Sequence, residues 1–126
     1  MTKNGSKEHE LADRLLRFAV LVVRLVAALP KSEIGNLVRI QLLKSGTSPG
    51  ANYEEARGAE SRSDFIHKMG IVLKELKESR YWLRVIEEVP LCERDRVHPV
   101  SAECEELIAI IAKSIFTAKK NRDICS

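Results

Sequence analysis

Apolar residues recur along this chain at three- and four-residue steps, the spacing of one helix face rather than the alternation of a strand. The first such run, Leu11, Leu15, Phe18, Val22, Leu25 and Leu29, predicts a helix over 7–28 that Pro30 stops. Val20, Val23, Val26 and Ala27 add a second stripe, so this helix is apolar around most of its girth. A helix at the edge of a lone bundle keeps one polar side, and large exposed apolar faces mark interfaces. The expectation is that this helix also meets another subunit.

Ser32 with Glu33 marks the start of a second helix, predicted over 32–59, with Ile34, Val38 and Leu42 as its apolar side. Pro49 lies in its middle, removes one backbone donor, and is expected to kink or locally open it. Ser45, Gly46, Ser48, Gly50 and Ala51 are small enough to let a neighbouring backbone come close. Gln41, Ser45, Ser48, Asn52 and Glu55 share one face, a polar stripe where an apolar one is the default. The third helix is predicted over 63–89, capped by Ser63, with Phe65, Met69, Val72, Leu76, Leu83 and Ile86 as its seam. Tyr81, Trp82 and Val85 widen its apolar surface toward the end. A charged loop over 91–99 then leads to a fourth helix, predicted over 101–120 behind a Ser101 cap, with Cys104, Leu107, Ile108, Ile111, Ile115 and Ala118 turned inward. Connections are short except the third. The pattern predicts one all-α domain, an antiparallel up-down-up-down four-helix bundle.

Composition fits. Of the 126 residues 44% are hydrophobic but only 5% aromatic, so aliphatic side chains must fill the core, which suits interdigitating helices. A net charge of +3 neither declares nor excludes a nucleic-acid partner. The most apolar run, 18–29, carries Arg24 and falls short of the roughly 20 residues a membrane span needs, so no membrane partner is expected. The three cysteines form no CxxC pair, and the polar opening of the chain does not read as a leader, which points to reduced thiols in the cytoplasm.

The stretch QLL at 41–43, SGTSPGANYEEA at 45–56, RSDFIHKMGI at 62–71 and YWL at 81–83 is distinctive in order and spacing. Together with Leu29, Pro30 and Glu33 upstream, it resembles the bacterial four-helix bundle family that includes proteins encoded in intervening sequences of large-subunit ribosomal RNA genes. The resemblance spans roughly 15–89; Pro49 stands where relatives carry a hydrophobic residue, and Ala56 where they often carry glycine. It implies a homo-oligomer, a five-subunit ring. Relatives that serve diversity-generating retroelements are thought to bind nucleic acid and a reverse transcriptase. No catalytic residues are carried over.

Candidate chemistry is sparse. Gln41, Ser48 and Asn52 either contact a ligand or, as buried polar groups normally do, bond to one another and to Arg57 or Arg62 and hold the helices in register. Di-iron bundles need Glu-x-x-His motifs; the nearest matches here are Asp64 with His67 and Asp95 with His98, and Cys92 lacks partners at zinc spacing. No serine has a spaced histidine to activate it, and SGTSPG lacks the lysine and the strand of a phosphate loop. Neither an enzyme nor a cofactor is expected. The basic residues remain: Arg57, Arg62 and Lys68 near one helix junction, and Lys74, Lys77, Arg80 and Arg84 along the third helix. They read either as a solvated face interspersed with Glu75 and Glu78, or as an RNA or DNA surface that a ring of subunits would multiply. A purely protein-binding module is the alternative function.

Overall fold

Where the apolar runs end, capping chemistry takes over, and it fixes four helices in a computed structural model that describes residues 6–125, with side chains at 7–124. Among these residues the protein is all-α: α1 spans Ser6–Ala27, α2 Glu33–Arg57, α3 Arg62–Glu88 and α4 Arg94–Cys125. Pro30 closes off α1. The Arg39 guanidinium of α2 then reaches back to its exposed end, donating to the carbonyls of Leu29 at 2.9 Å, Val26 at 3.3 Å and Pro30 at 3.4 Å. These are acceptors that a helix terminus leaves unpaired. Ser32 is extended and its hydroxyl accepts from the Gly35 N–H at 3.1 Å, starting α2 as its sequence predicts.

Two starts differ from expectation. Ser61, not Ser63, caps α3, accepting from the Asp64 N–H at 3.0 Å, while the Asp64 carboxylate lies 3.4 Å from the Glu60 N–H. This reciprocal pair resembles a capping box. The fourth helix begins at Arg94, seven residues before Ser101, so the predicted 91–99 loop shrinks to residues 89–93. Burial of Val97 and Val100 extends the inward seam of Cys104 and Leu107 backward and favours helix through Pro99. Ser101 lies within the helix, its hydroxyl 3.5 Å from Glu87 Oε1. Pro49 likewise fails to divide α2, which runs unbroken past it with the proline ring buried.

The helices pack in chain order, α1 on α2, α2 on α3 and α3 on α4, with a thinner seam between α1 and α4. Phe18, Leu15 and Val22 from α1, Leu42 from α2, Met69 and Leu76 from α3, and Leu107 and Ile111 from α4 are fully enclosed. The small residues of α2 do what their size suggests. A Cβ at Gly46 would lie 2.7 and 2.8 Å from the two γ-methyls of Val22, so only glycine admits this approach of α1. One turn on, Gly50 lies against Leu15. Across the next interface the buried Ser79 hydroxyl donates to Ser45 Oγ at 3.0 Å, and Cys104 donates its thiol to the Leu76 carbonyl at 3.3 Å. The α1–α4 seam is clasped by Arg14, whose guanidinium forks onto the Glu103 carboxylate and also meets Glu106 at 3.3 Å.

Candidate nucleic-acid interface

The seven basic residues do not form one patch. Arg57 is spent on Glu54 at 3.1 Å, Lys68 on Glu55 at 3.7 Å and Arg80 on Glu105 at 3.2 Å. Pairing of this kind on a surface contributes little stability, but it cancels the charge a phosphate would feel. Arg62 points elsewhere, into a groove at the end of the bundle. Lys74, Lys77 and Arg84 are left, all exposed and without an ion pair among the described residues.

These three share one line on α3. His67, Gly70, Lys74, Lys77, Tyr81 and Arg84 follow one another at three- and four-residue steps and all are exposed, as one helix face requires. Glu75 and Glu78 lie to the side of this line and are half-buried. Tyr81, expected to widen the apolar surface, is 60% exposed and stands edge-on to Trp82, ring centres 5.1 Å apart. Its phenol ring is thus held in the middle of a cationic row. The helix spacing of these residues contained this stripe; it is missed when Tyr81 is grouped with Trp82 and Val85 as core.

The polar stripe of α2 resolves into local bonds. Asn52 donates to the Ser48 carbonyl at 3.0 Å and to its hydroxyl at 2.8 Å, one turn back on the same helix. The expected bonds from this stripe to Arg57 or Arg62 are not formed, and the cross-helix contact is the Ser45–Ser79 pair instead. Gln41, at the start of the stripe, is half-buried. On α3 the Trp82 Nε1 proton is buried with no partner among the described residues.

Elsewhere the chemistry is quiet. Among the described residues no three of histidine, cysteine, aspartate and glutamate gather as metal ligands. Asp64 serves the α3 cap, and His67 faces outward. Burial pushes the Cys104 thiol up to about 12, and burial also raises Cys92, which is half-buried, so neither thiol is poised as a nucleophile. No helix among the described residues is long and apolar enough to cross a membrane.

A four-helix, all-α protein is the class these observations define. The chain belongs to the 23S rRNA-intervening sequence protein family, whose model matches residues 7–113. Among solved structures it is similar to a protein of unknown function from the S23 ribosomal protein family of Bacteroides thetaiotaomicron. The two are 35% identical with a TM-score of 0.79, over 86% of this chain and 97% of that one. A comparison with curated proteins gives no match. The family and this neighbour bring no catalytic activity with them.

Proposed function

We propose that the protein is a non-enzymatic, oligomeric adaptor that associates with RNA or DNA through the outward stripe of α3. The observation that carries this reading is the row of Lys74, Lys77 and Arg84, free of carboxylate partners among the described residues, with Tyr81 exposed among them. Cations attract the phosphate backbone without regard to sequence. An aromatic face between them adds base stacking, the combination that single-strand binders use. A family named for an intervening sequence of 23S rRNA supports the same partner class.

The bundle itself we read as antiparallel, up-down-up-down. Val22 meets Gly46 and Leu15 meets Gly50, Ser45 meets Ser79, and Leu76 meets Cys104, so along each pair of neighbours one number rises as the other falls. We read the assembly as a homo-oligomeric ring of five. In support of self-association, Leu16, Val20 and Val23 turn outward from α1, with Leu16 61% exposed, while Val26 of the same predicted stripe is taken into the core; the count of five is what the family resemblance implies. A cytoplasmic setting fits the free thiols of Cys92 and Cys104.

The test is fluorescence anisotropy with labelled single-stranded RNA and DNA of mixed sequence, titrated over salt. Three phosphate contacts predict a log–log salt slope of about −2 per engaged subunit on single strands, steeper when a ring engages several. Charge reversal at Lys74, Lys77 and Arg84 abolishes binding, whereas reversal at Arg57 and Lys68 leaves most of it. Absence of binding at low salt by folded, oligomeric protein refutes the reading. A protein-interaction module without a nucleic-acid role is the second reading, favoured by the outward residues Ile34, Leu37 and Ile40 of α2 beside those of α1. In that case charge reversal leaves partner capture intact, and light scattering with absorbance at the nucleic-acid maximum finds an assembly free of nucleic acid.

A further inference from the structure

At one end of the bundle the helices part around an open groove of about 850 Å³, a size at which small molecules are held. Its floor is apolar, made by Leu11 of α1, Phe65 of α3 and Ile110 of α4. Lys7, Arg62 and Lys113 stand around it, one from each of the same helices, and none of them makes an ion pair among the described residues. Arg14 also borders the groove, but its fork is committed to Glu103. Glu8 and Glu10 are the acids on the α1 side.

The groove also offers a neutral hydrogen-bond donor. Tyr53 of α2 lines the groove and is only 4% exposed, yet among the described residues its hydroxyl has no hydrogen-bond partner. The ring is enclosed while the hydroxyl still meets solvent, Trp82 Nε1 being the buried side-chain polar atom without a partner among the described residues, so the phenol is free to donate to a molecule in the groove. Burial, reinforced by Glu8, holds this hydroxyl above the usual phenol range, so it stays protonated and able to donate.

We propose that this groove is a binding site for a small amphipathic anion, an aromatic or short aliphatic body bearing one carboxylate, sulfonate or phosphate. The body lies on Leu11, Phe65 and Ile110; the anionic group takes a hydrogen bond from Tyr53 and the charge of Arg62 and Lys113. The site is separate from the α3 stripe and does not depend on nucleic-acid binding. It also draws on the part of α4 that runs on past Lys113, where the family match ends.

The probes are naphthylacetate and naphthalenesulfonate, with naphthylmethylammonium as the cation of the same body, each titrated into the isotope-labelled full chain and followed by two-dimensional NMR. Both anions are expected to give saturable shifts at Leu11, Phe65 and Ile110, and the cation none. Reversal of Arg62 and Lys113 together to glutamate weakens the anions at least about tenfold, the loss of one or more charge-assisted contacts. Tyr53→Phe keeps the ring and the packing and weakens them about threefold to tenfold, the range of one hydrogen bond. Equal binding of cation and anion, shifts centred on Leu16 and Val20 instead, an unchanged affinity in Tyr53→Phe, or no saturable shift overturns the proposal.

Discussion

Replacing Gly46 by alanine drives a methyl group into Val22 at 2.7 Å from Cγ2, 2.8 Å from Cγ1 and 3.0 Å from Cβ. Carbon atoms sit comfortably at about 3.5–4.0 Å, so the pair is too close by roughly 1 Å. Val22 cannot turn away: both its γ-methyls are engaged, and a helical valine has essentially one χ1 well. Relief therefore requires α1 and α2 to separate, in a core where Val22 is fully enclosed. Overpacking of this kind costs about 1–3 kcal/mol. Against it, alanine is favoured over glycine within a helix by about 1 kcal/mol. The net expectation is a loss of about 1 kcal/mol, with the steric cost winning. Val22→Ala alone removes two buried carbons and costs about 1–3 kcal/mol. In the double variant the new methyl occupies the space those carbons leave, so the combined loss falls short of the sum by about 1–2 kcal/mol, within the range for contacting residues. Urea unfolding of all four proteins at one protein concentration, followed by far-UV circular dichroism, measures the cycle. Gly46→Ala as stable as the parent, with additive effects in the double variant, refutes the close approach.

The other predictions probe single contacts. Ser79→Ala leaves Ser45 Oγ buried without its donor and costs about 1–2 kcal/mol, whereas changing both serines to alanine costs less than the two single losses together; thermal unfolding of the set decides it. Arg39→Ala strips the donors from the end of α1 and lowers stability by about 1–3 kcal/mol, with faster amide exchange over residues 25–32; unchanged exchange there contradicts the capping role. Cys104 stays unmodified by iodoacetamide in the folded protein at neutral pH while Cys92 reacts slowly, as mass spectrometry of digests shows. The same burial sets a pH dependence: the unfolded Cys104 thiol ionises near 9 and the folded one near 12, so the unfolded state sheds its proton first. Stability attributable to this thiol is intact below 9 and falls by about 1.4 kcal/mol per unit between those values, a slope that Cys104→Val removes.

The fold was largely readable because each helix announces itself in apolar spacing, and Leu15, Phe18, Val22, Leu42, Met69, Leu76, Leu107 and Ile111 are enclosed as that spacing requires. What misled were prolines and paired serines. Pro99 reads locally as a break, but Val97 and Val100 gain burial only if the helix already includes them, and that gain depends on where α3 lies. Ser63 stands directly before Asp64, but Ser61 precedes the same acid by three residues, the capping-box spacing, so the true cap was legible in the sequence and was passed over. Charge was the least legible. Nothing in a list of basic residues tells that Arg80 meets Glu105 of another helix while Lys77 meets no acid among the described residues, since such pairing is tertiary. The groove around Tyr53 was invisible for the same reason, its lining being drawn from all four helices.

The uneven packing around the bundle carries a mechanical consequence. α2 and α3 form a spine with tight contacts on both sides, whereas α1 and α4 meet each other along a thinner seam that Arg14 bridges to Glu103 and Glu106. That bridge is electrostatic and, at Glu106, open to solvent, so ionic strength loosens it. Opening of the chain is thus expected to begin along that edge, as local unfolding follows the weakest packing. Leu107 and Ile111 would then be unveiled before the spine gives way.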